Sequence, residues 1–142
     1  MIAYPMKFEV STTSVSGIKT ALEASAESFD PITCAIPSQF NGPGGGYSPE
    51  DLLALSLTTC LIATFKVFAE KSPFAYERIQ AKAYLTIDRV GGTVAISKID
   101  VEMTLYGVQD QQKATALMQQ AEKYCLVSNT LKVEKSLSLH FQ

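Results

Sequence analysis

The sequence predicts an α+β domain in which mainly antiparallel β-sheet packs on long helices. Three observations lead there. Strand-like and helix-like segments come in blocks rather than in strict alternation. One apolar helix of some two dozen residues follows a glycine-rich connection. Two long segments with period-two alternation flank a Gly-Gly pair. The chain has 142 residues, a length that suits one domain, so residues 1–142 are expected to form a single unit.

The first forty residues read as strands and turns. Lys7 to Thr13 alternates weakly, Ser16-Gly17 marks a turn, and Lys19 to Ala26 is a second extended run. Pro31 and Pro37 bracket an irregular strand around Ile32 to Ile36. The run Asn41-Gly42-Pro43-Gly44-Gly45-Gly46 is a flexible connection. No Gly-Lys-Ser/Thr follows it, so it lacks the signature of a phosphate-cradling loop.

Ser48-Pro49-Glu50-Asp51 is a helix start. Ser48 suits the N-cap, Pro49 the first helical position, and the two acids the first turn, where the dipole favours negative charge. The helix is expected to reach Lys71, with Ser72-Pro73 ending it. From Leu52 to Ala69 apolar residues occur on every side, which predicts burial on every side. Its threonines and Lys66 favour a buried helix over a membrane span. A helix of about 34 Å crosses nearly the whole of so small a domain, and one small sheet hardly covers all its faces. A second copy of the chain is the natural cover, so a homodimer is expected.

Arg78 to Asp88 alternates cleanly, with Ile79, Ala81, Ala83, Leu85 and Ile87 on one face. Arg89-Val90-Gly91-Gly92 turns the chain into a long strand, Thr93 to Tyr106, with Ile99, Val101, Met103 and Leu105 inward. Val94 and Ile96 have the opposite phase, which predicts a bulge near Ser97. Asp110 can cap a second helix to Tyr124 with the inward stripe Ala114, Leu117, Met118 and Ala121. Lys132 to Phe141 closes the chain as a strand, with Val133, Leu137, Leu139 and Phe141 inward.

Composition removes several functional classes. Twelve basic and fourteen acidic residues leave a net charge of -2, and only Arg78 and Arg89 are arginine. Nucleic acid is therefore not expected as a partner, since phosphate binding needs a clustered basic surface. The single histidine, His140, falls on the polar phase of the last strand and cannot build a His-rich metal site. Cys34, Cys60 and Cys125 form no CxxC pair, so no zinc or thioredoxin-type motif is present. No metal and no cofactor are expected. The N-terminal segment has no signal-peptide pattern, and an odd cysteine count suits a reducing compartment. A cytoplasmic protein is expected.

The candidates for chemistry are thiols. Cys60 lies mid-helix, where the dipole does not assist ionisation and burial opposes it. Read alone it is a small core hydrophobe, and reactivity requires polar neighbours, for which Ser56 and Thr64 lie one turn either side. Cys125 sits where the second helix ends; it is either a half-buried thiol or a partner for Cys60. Cys34, in an apolar strand between prolines, reads as structural. Phe65, Phe68 and Phe74 read as core, with lining of an apolar pocket as the alternative.

The segment Gly46-Tyr47-Ser48-Pro49-Glu50-Asp51-Leu52-Leu53-Ala54-Leu55-Ser56-Leu57-Thr58-Thr59-Cys60 resembles the signature helix of the OsmC/Ohr family of osmotically induced and organic hydroperoxide resistance proteins. Ala121-Glu122-x-x-Cys125-x-Val127-Ser128 resembles that family's second cysteine motif, and the element order agrees over essentially the whole chain. The resemblance implies an OsmC-like fold, with mainly antiparallel sheets wrapped around long central helices in an intertwined homodimer. It also implies thiol-dependent reduction of organic hydroperoxides, with hydrogen peroxide as a second substrate, in the oxidative stress response. Carried over, Cys60 is the peroxidatic thiolate, Cys125 the resolving cysteine, and Glu50 the glutamate that organises the site. The implied reductant is a dithiol, on a lipoylated or a thioredoxin-like protein.

Two departures separate the chain from the organic-hydroperoxide branch. That branch places an arginine in the first hairpin, whereas here no arginine precedes Arg78 and Lys19 is the nearest cation. A proline usually follows the second cysteine, and here Leu126 does. Both point to an OsmC-like branch. Two readings follow: a Cys60/Cys125 peroxidase with Lys19 as candidate thiolate-activating cation, or a non-catalytic or differently active OsmC-like protein that binds a small apolar ligand at the dimer interface.

Overall fold

A computed structural model of the chain describes residues 2–142 and divides it into two compact units, Met1–Leu52 and Leu53–Gln142. The first unit carries a three-stranded antiparallel sheet, β1 (Val10–Ser14), β2 (Leu22–Ala26) and β3 (Ile32–Cys34), in that order. The extended run expected from Lys19 is thus shorter. Thr20 closes a turn by donating its N–H to the Gly17 carbonyl, and its hydroxyl bonds that same carbonyl at 2.7 Å. The connection after β3 is held rather than loose. The Ala35 N–H donates to Tyr47 O and the Tyr47 N–H to Thr33 O, each at 3.0 Å. Gly42 is required by close approach, because a Cβ there would lie 2.0 Å from the Ile36 carbonyl oxygen.

Helix α1 (Pro49–Lys71) starts and ends as its residues dictate. Asp51 and Ser48 form a reciprocal cap, with Ser48 N–H donating to Asp51 Oδ2 at 2.9 Å and Asp51 N–H to Ser48 Oγ at 3.0 Å. Burial on all sides is not what the single chain presents. Leu57, Thr58, Leu61, Phe65 and Ala69 are buried, but Leu55 and Val67 are 44% and 51% exposed. The second unit supplies one packing layer to the helix, and one layer covers one stripe.

The second unit holds the sheet β4 (Arg78–Val90), β5 (Thr93–Tyr106) and β6 (Glu134–Phe141), with β5 in the middle. Arg89 and Val90 still belong to β4, so the turn is only Gly91-Gly92, both at positive φ (59° and 82°), the geometry of a two-residue hairpin. The expected bulge is present. Thr86 pairs with Lys98 and Ile87 with Ile96, leaving Ser97 as the extra residue. Strand β6 pairs parallel to β5, a departure from a wholly antiparallel sheet. The return passes through α2 (Gln111–Tyr124) and a short α3 (Leu126–Thr130), and a crossover of that length delivers a parallel strand.

The core is a layer sandwich. The buried face of β5 (Ile99, Val101, Met103, Leu105) meets Leu57, Leu61, Phe65 and Ala69 of α1 and the predicted stripe Ala114, Leu117, Met118 and Ala121 of α2. Asp110 caps α2 by accepting the Lys113 N–H at 3.0 Å. Phe65 is fully buried, edge-on to Phe74 and Tyr76 at 6.1 and 5.5 Å between centroids. These aromatics are core, and His140 is exposed beside Ser138.

Candidate functional site

The site in the second unit is built where α1 passes the junction of α2 and α3. Cys60 is half-buried on α1, and Cys125, fully buried, serves both as the last cap of α2 and as the first of α3. Its sulfur accepts the Ser128 N–H at 3.4 Å, as a capping side chain does. This fixes the thiol on a turn whose next amides, Leu126 and Val127, are unpaired by helix geometry and available to a neighbour. All three cysteines are free.

Cys60 and Cys125 are neighbours with opposite shifts. Burial pushes the Cys60 thiol up, but the Cys125 S–H, the Val127 N–H, the Thr64 hydroxyl and the Leu126 N–H together outweigh it and hold Cys60 below the ordinary 9.0. Burial pushes Cys125 up too. Donation of its proton to Cys60 and the neighbouring negative charge add to this and carry it to about 11, against the opposing amides of Ser128 and Val127. One thiol is thus poised to ionise and the other to stay protonated.

Of the polar neighbours expected for Cys60, only Thr64 takes part. Its Oγ1 lies 4.0 Å from the sulfur and also donates to the Cys60 carbonyl at 2.7 Å. Ser56 instead donates to the Leu53 carbonyl at 2.7 Å. The amides of Leu126 and Val127 were missed by sequence reasoning. Backbone donors leave no side-chain signature, and α3 is five residues long with a cysteine as its cap.

The remaining predicted residues lie in the first unit. Lys19 Nζ donates to the Asn41 carbonyl at 3.0 Å. Glu50 sits in the first turn of α1, and its Oε2 is buried with no hydrogen-bond partner among the described residues. Because α1 is unbroken from Pro49 to Lys71, the ten residues from Glu50 to Cys60 span about 15 Å of helix rise. The two groups do not meet on one chain. Glu50 lines a pocket of about 440 Å³ with an apolar wall that includes Leu22, Ala35, Ile36, Phe40 and the Cys34 thiol. Among the described residues no cluster of three or more metal-ligating side chains occurs.

Comparison with known proteins gives a consistent picture. The family model for OsmC-like proteins matches residues 42–140. The uncharacterised protein YmaD of Bacillus subtilis is 26% identical over 110 residues, covering 74% of this chain and 73% of its own. Among solved structures, an OsmC-like protein of Vibrio cholerae superposes with a TM-score of 0.83 at 14% identity, covering 95% of this chain and 99% of that one. An organic hydroperoxide resistance protein of Legionella pneumophila superposes with a TM-score of 0.75 at 16% identity over 97% and 99% of the two chains. OhrB of Bacillus subtilis, an organic hydroperoxide resistance protein, does so at 0.68 and 18% identity over 95% and 98%.

Proposed function

The chain belongs to the OsmC-like family, and from that premise we propose that it is a cytoplasmic, homodimeric thiol peroxidase that reduces organic hydroperoxides through Cys60 and Cys125. The observation that carries this reading is the asymmetry of the pair, with Cys60 held below the ordinary thiol range and Cys125 raised to about 11. Hydroperoxide resistance in several proteins of the same fold supports it.

The asymmetry orders the steps. The Cys60 thiolate attacks the terminal oxygen of ROOH, the O–O bond breaks, and the leaving alkoxide takes a proton to become ROH. Cys60 is left as a sulfenic acid. While Cys60 is anionic, it keeps the Cys125 proton in place by accepting it as a hydrogen bond and by its charge. Oxidation removes that anion, so Cys125 is released to ionise and attack the sulfenyl sulfur. An S–S bond forms, and the hydroxyl leaves as water with the Cys125 proton. A dithiol reductant supplies the two electrons that restore both thiols by exchange.

Two apolar features support a dimer. Leu55 and Val67 leave part of α1 uncovered. Ile2, Tyr4, Met6, Phe8 and Val10 alternate as exposed apolar residues leading into the edge strand β1. A dimer also lets Glu50 of one chain serve Cys60 of the other, which the helix arithmetic forbids within a chain.

The test is the rate of thiol loss with cumene hydroperoxide and with hydrogen peroxide, on wild type and Cys60→Ser. Fast loss in wild type, abolished by Cys60→Ser, is expected; loss no faster than that of free cysteine sinks the reading. Light scattering that shows a monomer at micromolar concentration sinks the dimer. A second reading, a ligand-binding OsmC-like protein without peroxidase activity, is favoured by the apolar pocket at Glu50.

A further inference from the structure

The second unit holds a cavity of about 20 Å³ against the turn that carries Cys125. Its apolar wall includes Leu57 and Leu61 of α1, one turn before Cys60 and one position after it. Its polar wall is Glu122 of α2, Ser128 of α3, and Lys135 and Ser136 of β6. Roughly 10–15 Å³ is enough to admit one water molecule, and polar partners retain it. Ser128 ties the cavity to the thiol, since it lines the space while its N–H donates to Cys125 Sγ at 3.4 Å.

Glu122 stands three residues before Cys125, so the two side chains share a face of α2, with Cβ atoms about 5–6 Å apart. Burial pushes its carboxyl above the usual carboxylate range. That brings it closer to neutral pH, where a group that both takes and gives a proton works best. Lys135 is the other charged group on the cavity, and its Nζ is turned to the Leu131 carbonyl and, at 3.2 Å, to the Val133 carbonyl. Glu122 makes no ion pair among the described residues. Its carboxyl is free to exchange a proton.

The resolving step needs such a group. Under the peroxidase reading, on which this rests, Cys125 must lose a proton while the hydroxyl leaving the Cys60 sulfenic acid must gain one. Burial is the largest cause of the rise of Cys125 to about 11, and burial persists after Cys60 is oxidised. We infer that Glu122 is the proton relay of this step, taking the Cys125 proton through one water in the cavity and delivering it to the leaving hydroxyl. The Cys125 sulfur forms the S–S bond as the Cys60 S–O bond breaks. One water molecule is released, and Glu122 ends ionised as it began.

The test compares two leaving groups on the same sulfur, in a parent chain carrying Cys34→Ala so that only Cys60 and Cys125 react. One equivalent of cumene hydroperoxide makes the sulfenic acid, and acid-quenched mass spectrometry follows its conversion to the disulfide. An aromatic disulfide, dithiobis(nitrobenzoate), instead loads Cys60 with thionitrobenzoate. That group departs as a stable coloured anion and needs no proton, so its release reads the attack of Cys125 alone. At neutral pH, Glu122→Gln should lengthen the life of the sulfenic acid about a hundredfold or more, the low end of general acid–base contributions. Release of thionitrobenzoate should keep its rate. Glu122→Asp, which retains a carboxyl, should recover part of the loss. Equal slowing of the two reactions overturns the relay, because a distorted turn would impair both. An unchanged sulfenic acid lifetime in Glu122→Gln overturns it outright. A parent chain that releases thionitrobenzoate but forms no disulfide with the hydroperoxide sinks the peroxidase reading and the relay with it, so the two failures are told apart.

Discussion

Removing the Cys125 sulfur should make Cys60 a worse nucleophile by a calculable amount. The group that lowers Cys60 most is the Cys125 S–H, followed by the Val127 amide. A hydrogen bond to a charged acceptor is worth about 1.5–3 kcal/mol. A thiol is a weak donor, so the lower end applies, and about 1.4 kcal/mol corresponds to roughly one pKa unit. Cys125→Ala also deletes the acceptor of the Ser128 N–H. That frays α3, whose Leu126 and Val127 amides face Cys60, so one unit is the minimum. Cys125→Ser keeps a donor toward Cys60 and an acceptor for Ser128. The assay is the rate of monobromobimane alkylation from pH 5 to 10, paired with thiolate absorbance at 240 nm. Cys125 stays protonated to about pH 11, and Cys34→Ala in every variant leaves the signal to Cys60. In Cys125→Ala the midpoint should rise by about one unit or more, with alkylation below both midpoints about tenfold slower. In Cys125→Ser it should stay at the wild-type value or below. An unchanged midpoint in Cys125→Ala, or equal midpoints in the two variants, refutes hydrogen-bond activation.

Other outcomes follow from the same structure. The proton on Cys125 is held more tightly in the folded chain, to about pH 11 against the ordinary 9.0. The unfolded chain therefore loses its proton first, and the stabilisation present below pH 9 is lost as pH rises toward 11. The urea midpoint of wild type should fall relative to Cys125→Ser over that window, and parallel curves would count against the shift. Phe65→Ala removes a fully buried ring packed on Phe74 and Tyr76 and should cost about 3–5 kcal/mol in urea unfolding. Asp110→Ala should cost only about 1 kcal/mol and leave the Cys60 midpoint unchanged, because the Lys113 N–H it frees lies at the start of α2, whereas Cys125 lies at its end.

What the sequence made legible depended on whether a feature was local and carried by side chains. Helix α1 was readable to the residue, because Ser48, Pro49 and Asp51 announce its start and Ser72-Pro73 its end. The bulge at Ser97 was readable because Val94 and Ile96 alternate out of phase with Ile99 and Val101. The direction of β6 was not, since alternation places side chains on a face but is the same for parallel and antiparallel partners. Burial of α1 was over-read, because composition reports how much surface wants cover and the single chain covers only one stripe. At the candidate site, the motifs brought Cys60, Cys125 and Glu50 to notice. The amides of Leu126 and Val127 stayed hidden because any residue carries an amide. The Glu50 pocket stayed hidden because its lining is scattered from Thr12 to Leu52.

The scarcity of arginine acquires a different meaning once these donors are visible. An exposed guanidinium beside a thiolate acts through charge, so its effect weakens as salt screens it. The groups that lower Cys60 are a thiol, a hydroxyl and two amides, all neutral. Their effect depends on distance and direction, hence on the integrity of the turn from Cys125 to Ser128. That turn is tied to the rest of the second unit by the fully buried Cys125 and by Asn129, whose Nδ2 donates to the Lys123 carbonyl at 3.0 Å. Activation of Cys60 within a chain is therefore a packing property. Ionic strength should move its alkylation midpoint little, whereas a substitution that loosens α3 should move it without touching any charge.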